Sequence, residues 1–410
     1  MKINRALSPM FMVFLLIAYT NCSQGFKAAA FSDMTSGLGV SPLPDPSDIN
    51  SNVIPVQVGG GSCGYPNAPC ISVTICMPGT NQCKTIPNIL LDTGSTGLRV
   101  FKQLLTDFPL SRIKDPTGRD YGQCLSYLGG SSNWGPIARA DIQLGREKAS
   151  NVPMQIIDDK FSSPPADCKN LDADPNVAGF NGILGLGLFV EDCGEPCVED
   201  AAIKMYYACL SGSCEATKMP IANQVANPVA KLAMNNNGIL LKFPSVAGFA
   251  AGSLTGTLIL GIGTKSNNTL PGVTVLKADA YGNFKTEFDG KTFSNAFIDS
   301  GSNALFFPAT NGLTKCSDSG NAPGFFCPSS TQSFQATMKS ATGSASQLVS
   351  FQVANAESLS ASSSNMVFPA LAGDIEDNFD WGLPFFFGRS VYIAIEGKSS
   401  NLGTGPYWAF

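Results

Sequence analysis

Not one of the 410 residues is histidine. That single absence excludes Ser-His-Asp and Cys-His nucleophile systems, His-built zinc sites and imidazole proton shuttles. Any acid–base chemistry must fall to carboxylates, Lys, Tyr or a bare nucleophile. Charge is sparse as well: only 14% of residues are Asp, Glu, Lys or Arg, against roughly a quarter in an average soluble chain. The balance is −5 with a pI near 4.9, which excludes a general nucleic-acid surface. Apolar runs long enough to span a bilayer are also lacking. The longest, Met10 to Tyr19, is too short, and with Lys2 and Arg5 before it reads as a secretory signal over 1–22.

Other features are abundant. Forty-two glycines and 27 prolines imply frequent turns, and the length allows two or three domains. Cys22 follows the apolar run where a lipoprotein signal would carry its lipid, while Ala28-Ala29-Ala30 offers an ordinary cleavage site instead. Residues 23–52 are rich in Ser, Gly, Pro and Ala and read as a linker. With Cys22 set aside, twelve cysteines in an exported chain imply disulfides. Cys63/Cys70, Cys76/Cys83 and Cys316/Cys327 read as local pairs. Cys193, Cys197, Cys209 and Cys214 leave their pairing open, a four-thiolate zinc site included. Cys124 and Cys168 then pair by elimination.

From Val53 onward the chain is a succession of short apolar runs broken by Gly, Asn and Pro. Ile71-Ser-Val-Thr-Ile-Cys76 alternates as a half-buried strand does, and Pro78-Gly79-Thr80-Asn81 turns it back towards Cys83. Further strands are expected at 140–144, 257–261, 284–288 and 391–395. Helix is expected mainly over 199–209 and 227–234. The fold class is mostly β.

An internal duplication carries the most information. Asn88-Ile-Leu-Leu-Asp92-Thr93-Gly94-Ser95-Thr-Gly-Leu98 is echoed by Asn295-Ala-Phe-Ile-Asp299-Ser300-Gly301-Ser302-Asn-Ala-Leu305. A second echo follows at nearly the same interval: Ile183-Leu184-Gly185 after the first Asp, Phe386-Phe387-Gly388 after the second. Three apolar residues before an Asp place it at the end of a buried strand, and the glycine two residues on permits close backbone approach. If the two turns meet, their carboxylates cannot both ionise easily and titrate as a unit. One can accept a proton from water while the other gives one to a carbonyl oxygen. Such a pair cleaves an amide without histidine, metal or cofactor. Two other motif matches lack context. Ser111-Arg-Ile-Lys114 has no Lys-Thr-Gly companion, and the Gly-rich run 59–64 has no strand–helix setting.

With these motifs the chain resembles the pepsin-like aspartic proteases over most of residues 70–410. Phe180-Asn-Gly-Ile-Leu-Gly-Leu-Gly187 is similar to the segment bracing the first lobe's catalytic loop, Thr257 to Gly263 to the strand opening the second lobe, and Phe386 to Arg389 to the second brace. Residues 127–141 resemble the flap, with Tyr127 as its tyrosine and Trp134 as a rival. The many cysteines and the ending Gly-Pro-Tyr-Trp-Ala-Phe410 are most like a bacterial family of exported proteins of unknown function with this fold.

The resemblance implies a bilobal, double-psi β-barrel architecture, with lobes over 53–225 and 226–410. Asp92 and Asp299 would bind the attacking water, Thr93 and Ser300 would tie the two loops together, and Ser95 and Ser302 would hydrogen-bond the outer carboxylate oxygens. It implies a peptidase acting on polypeptide substrates, best at acid pH. A non-catalytic relative binding an envelope protein is the alternative. The chain holds both half-sites, so a monomer suffices and no dimer of single lobes is needed. It would be periplasmic, extracellular or lipid-anchored at the outer membrane, touching a membrane only through that anchor. Two departures stand out: Arg99 replaces the tryptophan that usually packs near the flap tyrosine, and residues 23–60 hold only Lys27 in place of a Lys-rich prosegment.

Overall fold

The computed structural model describes residues 52–410 except Leu270 and Asn311. The expected signal, Cys22 and nearly all of the expected linker lie outside the described residues. Strands dominate and helices are short. Strand Pro69–Cys76 buries Ile71, Val73 and Ile75 and turns out Ser72, as its alternation requires. It pairs antiparallel with Cys83–Asp92, and Cys76 faces Cys83 across the hairpin. The other four expected strand segments fall in strands Ser132–Leu144, Ser253–Leu260, Phe284–Phe288 and Ser390–Ala394.

A fifteen-stranded sheet runs through both halves of the chain, and a seven-stranded sheet lies within the second half. The two halves of the chain join within the larger sheet, where strand Val53–Gly59 pairs along its whole length with Ser253–Leu260. The first strand is therefore built into the second lobe's opening strand.

The expected helix over 199–209 does not form. A short helix, Glu195–Glu199, and a 3-10 turn, Ala201–Ile203, stop at Lys204, whose φ of 57° is left-handed. Tyr206–Leu210 is then a strand. Its aromatic residues favour the sheet, where Tyr206 to Cys209 pair with Asp120–Gln123. Of 227–234 only Val229–Lys231 is helical, as a 3-10 turn.

Six disulfides form: Cys63–Cys70, Cys76–Cys83, Cys124–Cys168, Cys193–Cys197, Cys209–Cys214 and Cys316–Cys327. The four clustered cysteines are thus two local pairs, which removes the thiolates a zinc site needs. Such a set of bridges belongs to a chain folded in an oxidising compartment. Among the described residues no helix is long and apolar enough to cross a membrane.

Candidate active site

Each Asp turn is held by the same weave of three strands. In the first half, Ile89, Leu90 and Leu91 are fully buried, and their strand runs parallel to Gly182–Leu186, which sets Asp92 beside Gly185. Strand Thr96–Phe101 then returns antiparallel to the same segment, with Gly97 opposite Gly185. A methyl group on Gly185 would lie 2.5 Å from the Thr96 nitrogen, so only glycine lets the Asp turn fold over it. Ile183, Leu184 and Gly185 therefore sit in the first weave.

The second weave uses other residues than those expected. Strand Lys291–Ile298 runs parallel to Phe379–Trp381, with Phe297 opposite Asp380 and Ile298 opposite Trp381. Leu305 returns antiparallel to Trp381. Gly382 then takes the place held by Gly185: a methyl there would lie 1.9 Å from the Ala304 carbonyl oxygen. The second brace is thus Asp380-Trp381-Gly382, not Phe386-Phe387-Gly388. Leu383–Phe386 is a 3-10 turn, and Phe385, Phe386 and Phe387 are core side chains. Phe385 packs against Trp381 at 5.3 Å, behind the brace. The sequence pattern favoured two adjacent apolar residues before Gly, whereas the true brace carries an acid in that position.

The two turns meet through reciprocal hydrogen bonds. Thr93 N–H donates to Ser300 Oγ at 3.1 Å, and Ser300 N–H donates to Thr93 Oγ1 at 2.9 Å. Each hydroxyl then donates into the other half, Ser300 to the Leu91 carbonyl at 2.7 Å and Thr93 to the Ile298 carbonyl at 3.3 Å. This grip holds Asp92 and Asp299 face to face. Gly94 N–H is shared between Asp92 Oδ1 at 2.8 Å and Asp299 Oδ1 at 3.1 Å, while Gly301 N–H donates to Asp299 Oδ1 at 2.7 Å. Ser95 donates to Asp92 Oδ2 at 2.5 Å and Ser302 to Asp299 Oδ2 at 2.8 Å.

Both aspartates are fully buried, and the two carboxyls hydrogen-bond each other. Burial raises both above the ordinary carboxylate range. Asp299 goes well above it, because the charges of Asp92 and Asp380 add to burial. Asp92 is raised by burial but eased by hydrogen bonds from Asp299, Ser95 and Gly94. The pair titrates as a unit and keeps one proton to higher pH than a lone carboxyl would.

The segment expected as the flap lies in the hairpin of Asp120–Ser126 and Ser132–Leu144. Tyr127 is buried at its turn, and its hydroxyl donates to Asn133 Oδ1 at 2.6 Å. Burial pushes that hydroxyl upward, and the charge of Asp92 adds to the effect. Trp134 belongs elsewhere: it packs on Phe161 and Tyr207, in the cluster around the Cys124–Cys168 bridge. The flap is tied at both strands. Asp120–Gln123 pairs with Tyr206–Cys209, and Asn133 Nδ2 donates to Asp172 at 3.0 Å. Burial lifts the Asp172 carboxyl to about 6.

Three partners near the dyad were not legible beforehand. Fully buried Arg99 forms an ion pair with Asp192 at 2.9 Å, and Gln123 and Tyr206 donate to the same carboxylate. Even so, burial keeps Asp192 raised to about 6. Asn67, buried within the Cys63–Cys70 loop, donates to the Asn303 carbonyl at 2.7 Å and to the Phe368 carbonyl at 2.9 Å. It also accepts from Phe368 N–H at 2.8 Å, so the loop straps the first lobe to the second beside the Ser302 turn. Asp380 is the third, a buried acid in the second brace. An Arg inside the apolar run Leu98-Arg99-Val100 was the one signal available for the ion pair.

A depression of about 870 Å³ lies over Phe288, Phe334 and Phe351 and includes no residue of either Asp turn. Size alone does not mark the chemistry here. The dyad is where perturbed acids, glycine-only contacts and a cross-lobe grip converge.

Residues 48–410 match the family described as "Protein of unknown function (DUF3443)". The chain belongs to this family. No curated protein matches the sequence. Among solved structures, an aspartic proteinase from Irpex lacteus is similar with a TM-score of 0.50 and 14% identity, over 87% of this chain and 96% of that one. That likeness establishes a pepsin-like, mostly β fold for this DUF3443 member.

Proposed function

We propose that this DUF3443 protein is an exported aspartic endopeptidase that hydrolyses peptide bonds with the Asp92–Asp299 pair. The observation that carries the reading is the shared Gly94 N–H, which holds the inner oxygens of two buried carboxyls against each other. In the singly protonated pair, Asp92 takes a proton from water as the water oxygen attacks the substrate carbonyl carbon. Asp299 gives its proton to the carbonyl oxygen. Collapse of the tetrahedral intermediate breaks the C–N bond, with a proton returned to the leaving nitrogen. Ser95 and Ser302 orient the outer oxygens, and the Thr93–Ser300 grip fixes the separation. The flap carrying Tyr127 would cover an extended polypeptide and must move to admit it.

A specific observation favours a second reading, in which the fold binds an envelope polypeptide without cutting it. Asp92 and Asp299 are fully buried, and both the Asn67 loop and the hairpin carrying Tyr127 are tied down. Incubation of the mature protein with a peptide library from about pH 3 to 7, with and without pepstatin, separates the two. Cleavage that pepstatin stops supports the peptidase. Pepstatin binding without cleavage favours the binding protein, and neither response rejects both. Mass spectrometry of the mature N-terminus tests the anchor: a lipid-bearing Cys22 supports it, and a start at Phe31 rejects it.

A further inference from the structure

The two halves are built on the same plan around their aspartates, but their braces differ in charge at one position. In the first, the brace sets Ile183 opposite Leu90; in the second it sets Asp380 opposite Phe297. Side chains alternate across a strand, so the residue opposite Phe297 lies on the same face as Asp299, two positions on. Diagonal neighbours of this kind have their Cβ atoms about 7–8 Å apart, within reach of two carboxyl side chains. Where the first half places hydrocarbon beside its catalytic acid, the second places a third carboxyl.

Asp380 is fully buried, and neither of its oxygens has a hydrogen-bond partner among the described residues. The groups that act on it are the Ser302 hydroxyl and Asp299 on the second-lobe turn, and Asp92 from the first lobe. No described Lys or Arg forms an ion pair with it. Arg99, the cation that acts on Asp92, is held by Asp192. An ionised carboxylate with only the Ser302 hydroxyl to ease it, no cation and two acid neighbours is strongly disfavoured in such a place, whereas a neutral acid is tolerated.

We propose that Asp380 is a third proton-bearing carboxyl of the site, and that it extends to higher pH the range in which the Asp92–Asp299 pair keeps its single proton. It acts through Asp299 and is a positioning residue. As pH rises Asp380 gives up its proton before Asp299 does, and the charge it then carries raises Asp299, just as the charge of Asp92 does. Its effect on cleavage rests on the peptidase reading, but its own proton does not.

The test compares wild type with Asp380→Asn, which keeps the shape and removes the ionisation. Thermal unfolding followed against pH reads the proton directly. The wild-type folded state must hold a proton on Asp380 that the unfolded state releases above about pH 4. Asp380→Asn is therefore expected to melt a few degrees higher than wild type at pH 7, with the difference vanishing near pH 4. Parallel pH–stability curves for the two proteins overturn the proposal. If activity is measurable, the alkaline limb of the pH–rate profile is expected to move down by about one pH unit in the variant. An unmoved limb overturns the coupling to Asp299 even if cleavage itself is confirmed. Should Asp380→Asn fail to fold, infrared spectra of wild type labelled with ¹³C-aspartate at pH 7 decide. Two or more protonated carboxyls support the proposal, and one or none overturns it.

Discussion

At the scale of single residues, the site tolerates almost no added volume. A methyl on Gly94 would lie 2.6 Å from Asp299 Cγ, and one on Gly301 would lie 2.8 Å from Asp92 Cγ. Gly94→Ala is thus expected to separate the carboxyls, costing about 1–3 kcal/mol in urea unfolding and most of any cleavage. Arg99 is a different case. Its partner Asp192 is paired inside the protein, where removal of one member leaves a buried charge. Arg99→Met is expected to lose about 3–5 kcal/mol of unfolding free energy, and Arg99→Met with Asp192→Asn to lose less than the single change. Equal losses in the single and double variants would mean that the pair is not coupled.

At the scale of elements, the flap is a strand pair sewn into a larger sheet. Cys124–Cys168 closes a 44-residue separation across it. Replacing both cysteines by Ser is expected to cost about 3–4 kcal/mol and to make the flap turn near Tyr127 sensitive to limited proteolysis. An unchanged cleavage pattern would show that strand pairing with Tyr206–Cys209 suffices to hold it. The same scale explains what could be read in advance. The strand over Ile71 to Cys76 was legible because its alternation is local, and the first brace because Ile-Leu-Gly sits in an apolar setting. The second brace was not legible, because Asp380-Trp381-Gly382 breaks the apolar pattern and only strand pairing with Phe297 and Ile298 reveals it. The strand at Tyr206 was missed because one of its two partners lies more than eighty residues earlier and the other, Ser213–Ala216, is a short strand without an alternating apolar pattern. Asn67 gave no signal at all, since its role rests on contacts with Asn303 and Phe368 across the whole chain.

At the scale of the whole molecule, buried acids set the response to pH. Asp172 and Asp192 are each lifted from an ordinary value of 3.8 to about 6, Asp92 is raised by burial, and Asp299 and Asp380 are raised well above the ordinary range, chiefly by burial. A raised carboxyl binds its proton more tightly in the folded state. Its stabilising contribution is complete below about pH 4 and is lost as pH climbs to the folded value. For Asp172 and Asp192 that window is pH 4 to 6, worth on the order of 2–3 kcal/mol each. Acids with the opposite shift, such as Asp141 with its Lys148 and backbone partners, lose their contribution as pH falls below about 4. Melting temperature is therefore expected to peak near pH 4–5 and to fall towards pH 7. A maximum at neutral pH would contradict this reading of the buried acids.

Absent histidine fits the same picture, because a carboxyl pair needs no imidazole and works best where one of its members is protonated. The most direct test of that claim is the initial rate of casein cleavage by the purified mature protein at acid pH, set beside Asp92→Asn. The expected result is cleavage by wild type that falls towards neutrality, with the variant slower by about 10³-fold or more while still folded. No cleavage by wild type under any condition, or equal cleavage by the variant, would contradict the assignment of the Asp92–Asp299 pair as a catalytic dyad.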